Sequence, residues 1–404
     1  MSAEARPAGG RILTPFFYLL LGLITVLGAL VLYRLFAGVG AITALTDGYS
    51  WGVWKPINVV TFTGIGAGAY AVGLLTYILN KGKYHPLVRP AVLVGAIAYT
   101  LGGGSVIVDL GRWWSAVFLL FPPWYNLSSI LLEVAVCVMT YIVVLWAEVI
   151  PAALERLMAD GTPRWKEFAA RWLPRVRRIL PFLIALAMLL PTMHQSSLGG
   201  LFMMAPTKEH PLWFTGWLPF LFVTSCLAMG YGSVMAMDVL LGVLFRGRYQ
   251  THVKLLGDLA KVAGWVTLFY VVFRFAALGW EGKLGYAFHL SGPVPYFWLE
   301  MVLFLVSAFM YLSPSVRQNR GRLFLAGLVG VLAGSAYRVD TYLIAYDPGP
   351  GWHYFPSVGE IMVTLGLASL GLAIFIVVVK TLPILALGAG PDGTLDRGRP
   401  THQS

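Results

Sequence analysis

The sequence predicts an all-α, polytopic transmembrane helical bundle of about ten helices, with both termini in the cytoplasm. The first observation is composition: of 404 residues, 58% are hydrophobic and only 12% are charged, whereas soluble domains carry about 25% charged residues. The second is a series of apolar runs of about 20 residues, each long enough to cross a hydrocarbon core about 30 Å thick. The third is an uneven distribution of Lys and Arg between the connections.

The apolar runs are predicted to be helices, because backbone polar groups in lipid must be hydrogen-bonded within their own segment. The first run is interpreted as a retained helix, since no small-residue cleavage site follows a short apolar core. Residues 1–13 are predicted to form a cytoplasmic N-terminal tail, 14–383 the transmembrane domain and 384–404 a cytoplasmic C-terminal tail. The predicted spans cover residues 14–36, 56–79, 88–110, 125–150, 178–203, 214–244, 255–280, 294–313, 321–346 and 357–383.

Charge patterning predicts the orientation of the bundle. Most of the 29 Lys and Arg residues fall in the connections on the side that holds both termini. The positive-inside rule makes that side cytoplasmic, as expected for a multi-pass protein of a bacterial cytoplasmic (inner) membrane. The net charge of +11 is therefore attributed to topology, and nucleic acid is not an expected partner. The basic amphipathic connector 155–178 is expected to lie along the anionic leaflet.

The connections on the opposite side are rich in Gly, Pro and aromatic residues. Two interpretations stay open for them. They form an aromatic belt at the membrane interface, as Trp and Tyr commonly do, or they form an ordered surface that docks a periplasmic partner.

The cysteines and histidines limit the redox cofactors that this chain could hold. Its two cysteines, Cys137 and Cys226, both fall in apolar runs, and an iron–sulfur cluster usually requires four thiolates. Of the seven histidines, only His194 lies clearly within a predicted span, and a membrane haem usually requires axial histidines on facing helices. We therefore expect no haem, no iron–sulfur cluster and no metal site, so that electrons arrive and leave on one side.

Ionisable side chains within the spans are the candidate functional residues. Each costs about 2.5–3.5 kcal/mol on insertion scales, so its presence calls for a function or a partner. A cytoplasmic group comprises Glu148, Asp238 and Lys261, with Tyr99 between the two halves. The non-cytoplasmic half holds Asp109, Arg112, Glu133, His194, Gln195, Arg274, Glu300, Arg338 and Asp340.

The non-cytoplasmic group is typical of a polar pocket for a quinone. Quinone carbonyls need hydrogen-bond donors such as His, Arg or Tyr, and reduction consumes two protons that Glu or His can supply. The cytoplasmic group would relay those protons. Glu133 is predicted to lie a third to a half of the way into its span, without a cation near it in sequence. The alternative for Asp109 with Arg112, and for Arg338 with Asp340, is structural ion pairing at helix ends.

Several long strings resemble the NrfD/PsrC family of quinone-interacting membrane subunits, over nearly the whole chain from the first span to Leu382. Two of these strings, YHPLVRP and LLPTMHQSS, are long enough to be specific. The strings are YSWGVWKPINVV (49–60), NKGKYHPLVRPAVL (80–93), YTLGGGSVIVDLGRWW (99–114), LLEVAVC (131–137), LLPTMHQSSLGGLF (189–202), HPLW (210–213) and GWHYFP (351–356).

Within the family, the strings are most similar to the membrane subunits of periplasmic nickel–iron hydrogenases. The resemblance implies a haem-free, quinone-reactive anchor of an uptake hydrogenase. Its partners would be a periplasmic ferredoxin-like iron–sulfur subunit, the large and small hydrogenase subunits, and menaquinone or ubiquinone. The chain itself would hold no complete active site for hydrogen.

The resemblance carries the family's catalytic residues onto Tyr99, Glu133 and His194, which the depth argument also selects. The predicted proton pathway comprises Glu133, Tyr99, Glu148 and Asp238. The predicted quinone-binding residues are His194, Gln195, Asp109, Arg112, Arg274, Arg338 and Asp340.

Two alternatives to this function stay open. The first is a membrane subunit of another respiratory oxidoreductase, such as a molybdenum reductase. The second is a proton-translocating, transporter-like protein, which inverted repeats and broken helices would favour.

Overall fold

Ten helices long and apolar enough to cross a membrane form the fold. The computed structural model describes residues 5–289 and 292–387, and within them the all-α prediction with ten spans is confirmed. A short helix, Pro314–Arg317, connects the eighth and ninth spans. The spanning helices are α1 Pro15–Ala37, α2 Lys55–Ile78, α3 His85–Asp109, α4 Ile130–Asp160, α5 Pro163–Gly200, α6 Leu218–Leu244, α7 Val253–Trp280, α8 Val294–Leu312, α9 Arg320–Val339 and α10 Val358–Thr381.

The start of α4 differs from the predicted boundary at residue 125. The helix begins at Ile130, where the Ser129 side chain accepts a hydrogen bond from the Leu132 amide. The preceding residues form short 3₁₀ turns, Trp113–Leu120 and Pro122–Trp124. Between these turns and the helix, the Ser129 amide donates to the Asn126 carbonyl at 2.9 Å, so a turn occupies the residues where the helix was predicted to begin.

The predicted connector 155–178 is helical over almost its whole length. It forms the end of α4 and the start of α5, with a break only at residues 161–162. Pro163 begins α5, where a proline costs no helical hydrogen bond. Leu154 of α4 packs on Ala169 and Leu173 of α5 in a small core. The connector therefore consists of two packed helical arms, one continuing α4 and the other beginning α5.

Helix α2 lies at the centre of the bundle. It is the most enclosed span: 83% of an apolar stretch of 18 residues is buried in α2, against 17% of the corresponding stretch in α1 and in α5. It packs on α3, α6 and α9. Helices α3, α4 and α5 pack in sequence on one side, and α6 to α9 pack together on the other. Helices α1 and α10 pair with each other and contact α3.

Among the described residues, three π-helical turns lie within a spanning helix or directly after one. They occupy Lys55–Thr61 and Leu74–Ile78 in α2, and Asp340–Ile344 directly after α9. Such turns change the backbone hydrogen-bond register and occur frequently at functional sites. The Val60 carbonyl in the first turn accepts a hydrogen bond from Arg338 Nε at 3.2 Å.

The two described ends of the chain lie side by side. Strand β1 (Ala5–Arg6) pairs antiparallel with strand β2 (Leu385–Ala386). We call this side of the molecule the terminal face. The opposite side, which we call the loop face, carries residues 38–54, 110–129, 201–217, 281–289 and 345–357. The remainder of the predicted tails, residues 1–4 and 388–404, lies outside the described residues.

Candidate functional site

Tyr99 of α3, Tyr141 of α4 and His194 of α5 meet in the interior. The Tyr99 ring centroid lies 4.6 Å from that of Tyr141 and 5.6 Å from that of His194, both edge-on. All three side chains are fully buried. Among the described residues, both phenol oxygens and both His194 ring nitrogens lack a hydrogen-bond partner. Buried polar atoms normally find a partner, so this arrangement suits a bound polar molecule or water. We call these residues the Tyr99–His194 site.

Gln195 and Arg338 form a fixed polar network beside this site. Gln195 donates through Nε2 to Thr63 Oγ1 at 3.3 Å and accepts from Arg338 Nη2 at 3.2 Å. The remaining guanidinium nitrogens donate to the carbonyls of Val60 and Gly334 at 3.2 and 2.9 Å. Each guanidinium nitrogen of Arg338 therefore has a hydrogen-bond partner, and the contact with Oε1 holds Gln195 in one orientation.

Two glycines of α2 make room for these side chains. A Cβ at Gly64 would lie 2.8 Å from Met229 Sδ and 3.1 Å from Arg338 Nε. A Cβ at Gly66 would lie 3.0 Å from the Tyr99 ring. The small residues of α2 therefore allow close helix packing, which is their common use in membranes, and they also set the position of two site residues.

Glu133 lies at the edge of the bundle and not deep in its span. It belongs to the first turn of α4, and its side chain is exposed on the outer surface of the helix bundle. The predicted depth was wrong because α4 begins at Ile130. Ser197 Oγ donates to Glu133 Oε1 at 2.8 Å. Ser197 lies one turn along α5 from His194, so an exposed carboxylate is connected through one hydroxyl to the helix that holds the buried imidazole.

Glu148 approaches the site from the terminal face. It lies seven residues after Tyr141, on the same face of α4 and about 10 Å away along the axis. Both side chains line a cavity of about 10 Å³, roughly the space of one water molecule. Glu148 Oε1 has no hydrogen-bond partner among the described residues. The sequence interpretation missed Tyr141, although a phenol inside an apolar run was visible as a signal.

Asp238 belongs to a different environment, at the terminal end of α6. The Tyr249 hydroxyl donates to Asp238 Oδ1, which also lies 3.0 Å from His252 Nδ1. The His252 amide donates to Oδ2 at 3.0 Å. These contacts occupy both carboxylate oxygens and hold the segment between α6 and α7 in place.

Neither of the alternative ion pairs, Asp109 with Arg112 and Arg338 with Asp340, is present among the described residues. Asp109 pairs with Lys55 at 2.6 Å, while Arg112 is exposed. The reason is that α3 ends at Asp109, so Arg112 follows a turn and no longer shares a helix face with Asp109. Asp109 also lies about 15 Å along α3 from Tyr99, by helix rise. Arg338 bonds Gln195 and two carbonyls in place of Asp340.

Arg274 and Asp340 belong to a second buried group with Glu300. Tyr270 and Trp213 donate to the two Glu300 oxygens at 3.2 and 3.1 Å. The Arg274 guanidinium lies 5.2 Å from the centre of the Tyr337 ring. The sequence interpretation placed Arg274 and Asp340 in one pocket with His194. It also missed Glu209, a buried carboxyl that lies in a loop and not in a span.

The sequence of this chain is similar to those of known proteins over most of its length. A family model described as "Polysulphide reductase, NrfD" matches residues 41–344. The chain belongs to the NrfD family. A probable Ni/Fe-hydrogenase 2 b-type cytochrome subunit from Escherichia coli is 34% identical over 386 residues, covering 95% of this chain and 96% of that protein. The family prediction from the quoted strings is therefore confirmed.

More distant relatives belong to other redox complexes. The integral membrane subunit of a menaquinone reductase from Nitratidesulfovibrio vulgaris is 27% identical over 354 residues, 81% of each chain. One of the subunits of a selenate reductase from Mesobacillus selenatarsenatis is 22% identical over 412 residues, 91% of this chain and 94% of that protein. The chain is a multi-pass integral membrane protein of a family of respiratory oxidoreductase subunits, similar to the hydrogenase-2 membrane subunit.

The name of the Escherichia coli relative includes a b-type cytochrome. A haem in this chain would need axial ligands among its histidines. Axial ligation usually takes histidines from facing helices. Among residues 5–289 and 292–387, His194 is the one histidine buried within a spanning helix. The ring of Tyr99 faces it, while His85 and His252 lie at helix starts on the terminal face. These residues do not fit a haem with two axial histidines.

Proposed function

We propose that this chain is the quinone-reactive membrane anchor of a periplasm-facing nickel–iron uptake hydrogenase. It would receive electrons from a ferredoxin-like iron–sulfur subunit docked at the loop face, itself attached to the hydrogenase large and small subunits. The basic terminal face would lie in the cytoplasm of a bacterial cell, by the positive-inside rule. The 34% identity to the hydrogenase-2 subunit over 95% of the chain supports this partner set.

One observation carries the quinone assignment: the Tyr99–His194 site combines unpartnered buried polar atoms with a nearby carboxylate, Glu133, that is exposed on the outer surface of the bundle. The free His194 nitrogens and the Tyr99 hydroxyl are groups that can donate to a quinone oxygen. Glu133 is exposed where a lipid-soluble ligand would approach, and Ser197 connects it to α5. The quinone is menaquinone or ubiquinone, and the menaquinone reductase relative supports a quinone of this class.

The chemistry requires two electrons and two protons for each quinone. Hydrogen oxidation at the partner subunits releases two electrons and two protons, and the quinone becomes quinol when it gains the same number of each. Tyr99 and His194 would hold the quinone oxygens, and Glu133 would transfer protons as general acid or base. Glu148 and Tyr141 extend the line of polar groups from Tyr99 towards the terminal face.

Hydrogen-dependent quinone reduction by the purified complex tests the proposal. His194→Ala and Glu133→Gln should lower quinone reduction at least tenfold, because general acid–base groups contribute about 10²–10⁴-fold. Reduction of a soluble dye by the hydrogenase subunits should stay unchanged in both variants. Undiminished quinone reduction in both would overturn the assignment of the site.

Matched control variants separate these effects from a general loss of charge or of imidazole. His85 lies exposed at the start of α3, and Glu167 is exposed on the arm of α5. His85→Ala and Glu167→Gln should both retain quinone reduction. A comparable loss in these controls would mean that assembly of the complex, and not quinone chemistry, is being measured.

The second candidate is a membrane subunit of another respiratory reductase. The selenate reductase and menaquinone reductase relatives support it, at 22% and 27% identity. Purification of the chain with its native partners distinguishes the candidates: a nickel-containing partner supports the hydrogenase, and a molybdenum-containing partner supports the alternative.

A further inference from the structure

A second polar cluster lies between the Tyr99–His194 site and the loop face. We call it the Arg274 cluster, and its members come from four elements. It contains Arg274 of α7, Glu300 of α8, Tyr337 and Asp340 at the end of α9, and Glu209 of the loop between α5 and α6. All are at most 6% exposed.

Both the cation and one of the carboxyl groups of this cluster lack hydrogen-bond partners among the described residues. Among the described residues, Nε, Nη1 and Nη2 of Arg274 have no hydrogen-bond partner. Both carboxyl oxygens of Glu209 and the Tyr337 hydroxyl are also unpartnered. A buried guanidinium and a buried carboxyl left unpaired at once would be very costly. Water molecules that bridge them would satisfy donors and acceptors together.

The charges of the cluster require bound protons. Glu300 accepts from both Trp213 and Tyr270, which suits an ionised carboxylate that balances Arg274. If Glu209 and Asp340 were also ionised, two negative charges would stay buried without an ion-pair partner among the described residues. Burial, partly opposed by Arg274, raises the pKa of Glu209 to about 9. The neighbouring His210 ring is half-buried, and Nδ1 accepts a hydrogen bond from the Leu212 amide.

The position of the cluster connects two parts of the molecule. Arg274 lies six residues before the end of α7 and Glu300 six residues after the start of α8, so each is about 9 Å below the helix ends at the loop face. Glu209 lies above them in a loop that is held in place, since its backbone forms a bridge with Tyr346.

On the inner side, a chain of side-chain contacts leads from Tyr337 of the cluster through Phe222 and Arg338 to Gln195, which lies beside the Tyr99–His194 site. The Tyr337 ring lies 5.1 Å from Phe222 and 5.2 Å from the Arg274 guanidinium. Phe222 in turn lies 5.8 Å from the Arg338 guanidinium, which bonds Gln195. The cluster and the Glu148 line therefore approach the same site from opposite faces.

We infer that the Arg274 cluster is a hydrated proton-exchange site, in which Glu209 and Asp340 hold protons that equilibrate with water at the loop face and serve the quinone reaction. The exchange itself stands on the geometry of this chain, whereas its coupling to quinone rests on the proposed function. Glu209 is the outermost carboxyl and controls access, and Asp340 is the inner proton holder.

Infrared spectroscopy of the purified complex tests the exchange without any turnover. At pH 7 the wild type should show the carbonyl band of protonated carboxyl groups, and this band should shift in D₂O. Glu209→Gln and Asp340→Asn should each remove part of the band. Glu281→Gln is the control, because Glu281 pairs with Lys283 at 2.7 Å in a neighbouring loop and is expected to be ionised. A band that is absent, insensitive to D₂O or unchanged in both variants would overturn the inference.

Quinone turnover tests the coupling. Glu209→Gln should lower hydrogen-dependent quinone reduction at least tenfold, because general acid–base groups contribute about 10²–10⁴-fold, while dye reduction is retained. Full quinone reduction in this variant would overturn the role in turnover. His194→Ala separates the two proposals, because it should abolish quinone reduction and leave the Glu209 band intact.

Discussion

At the scale of residues, equally buried polar side chains differ in whether the fold supplies a hydrogen-bond partner. Arg338 and Asp238 have hydrogen-bond partners within the fold. His194 and Arg274 are equally buried and have no partner among the described residues. Fully bonded groups stabilise one arrangement of the helices, whereas unbonded buried groups are available to a ligand or to water. Function is therefore assigned to the unbonded groups.

Tyr99→Phe tests this distinction. The hydroxyl has no hydrogen-bond partner among the described residues, so its removal should change the free energy of unfolding by less than about 1 kcal/mol. Quinone reduction should nevertheless fall about tenfold, because the phenol would no longer donate to the quinone. Thermal unfolding and steady-state quinone kinetics of the same preparation measure both effects. A large loss of stability with unchanged turnover would assign Tyr99 a structural role.

Glu209→Gln should change how stability depends on pH. The pKa of Glu209 is raised to about 9 in the folded chain from an ordinary value of 4.5. The folded state therefore retains a proton that the unfolded chain loses, and stability falls as pH rises between these values. The variant lacks this titration, so its free energy of unfolding relative to that of wild type should rise by about 1.4 kcal/mol per pH unit between pH 6 and pH 9, and its melting temperature should rise with it. Parallel melting curves for the two proteins would contradict the pKa shift.

At the scale of elements, α2 organises the site although it supplies few of its polar groups. Its π-helical turn presents the Val60 carbonyl to Arg338. Its glycines allow α3 and α9 to bring Tyr99 and Arg338 against it. The helix is enclosed on almost all sides, so its own shape determines the spacing of its neighbours.

Gly64→Ala should perturb both packing and the site. The added methyl would lie 2.8 Å from Met229 Sδ and 3.1 Å from Arg338 Nε, and overpacking of this kind costs about 1–3 kcal/mol. Gly104→Ala is the matched control, since a Cβ there meets nothing within 4 Å and alanine favours a helix by about 0.5–1 kcal/mol. Unfolding of both variants in detergent measures the difference. Equal stability of the two would contradict the close contact at Gly64.

At the scale of the whole molecule, the bundle has two unlike faces. The terminal face holds both described chain ends, joined by the β1–β2 pair, and most of the positive charge of the chain. The loop face is ordered by contacts between distant segments. The Trp54 indole donates to the Glu360 carbonyl at 2.9 Å, and the Ala44 amide donates to the Glu360 carboxylate at 3.0 Å. An ordered loop face suits the docking of the proposed iron–sulfur partner.

Cysteine labelling in whole cells tests which face is outside. The native cysteines Cys137 and Cys226 are both buried, so new cysteines can be labelled selectively. Thr207 is exposed on the loop face and Gln318 on the terminal face. A membrane-impermeant maleimide should label Thr207→Cys in intact cells and Gln318→Cys only after lysis. The reverse pattern would invert the proposed orientation.

The sequence by itself determined the class of the molecule, the number of spans and the family. Apolar length is a local property, and lipid forces each apolar run into a helix. It also selected Tyr99, Glu133 and His194 as candidates, because an ionisable or phenolic group in an apolar run is conspicuous. The same local reasoning overestimated the depth of Glu133, since it could not locate the first turn of α4.

Only the tertiary structure decided which candidates share a compartment. Asp109 and Arg112 are neighbours in sequence, yet Asp109 pairs with Lys55 of another helix. Arg338 and Asp340 are two residues apart, but about 100° of rotation per residue directs them to different groups. Contacts of this kind depend on the rotation and packing of whole helices. A single sequence specifies them only through the complete fold, which is why the Arg274 cluster became visible in the structure alone.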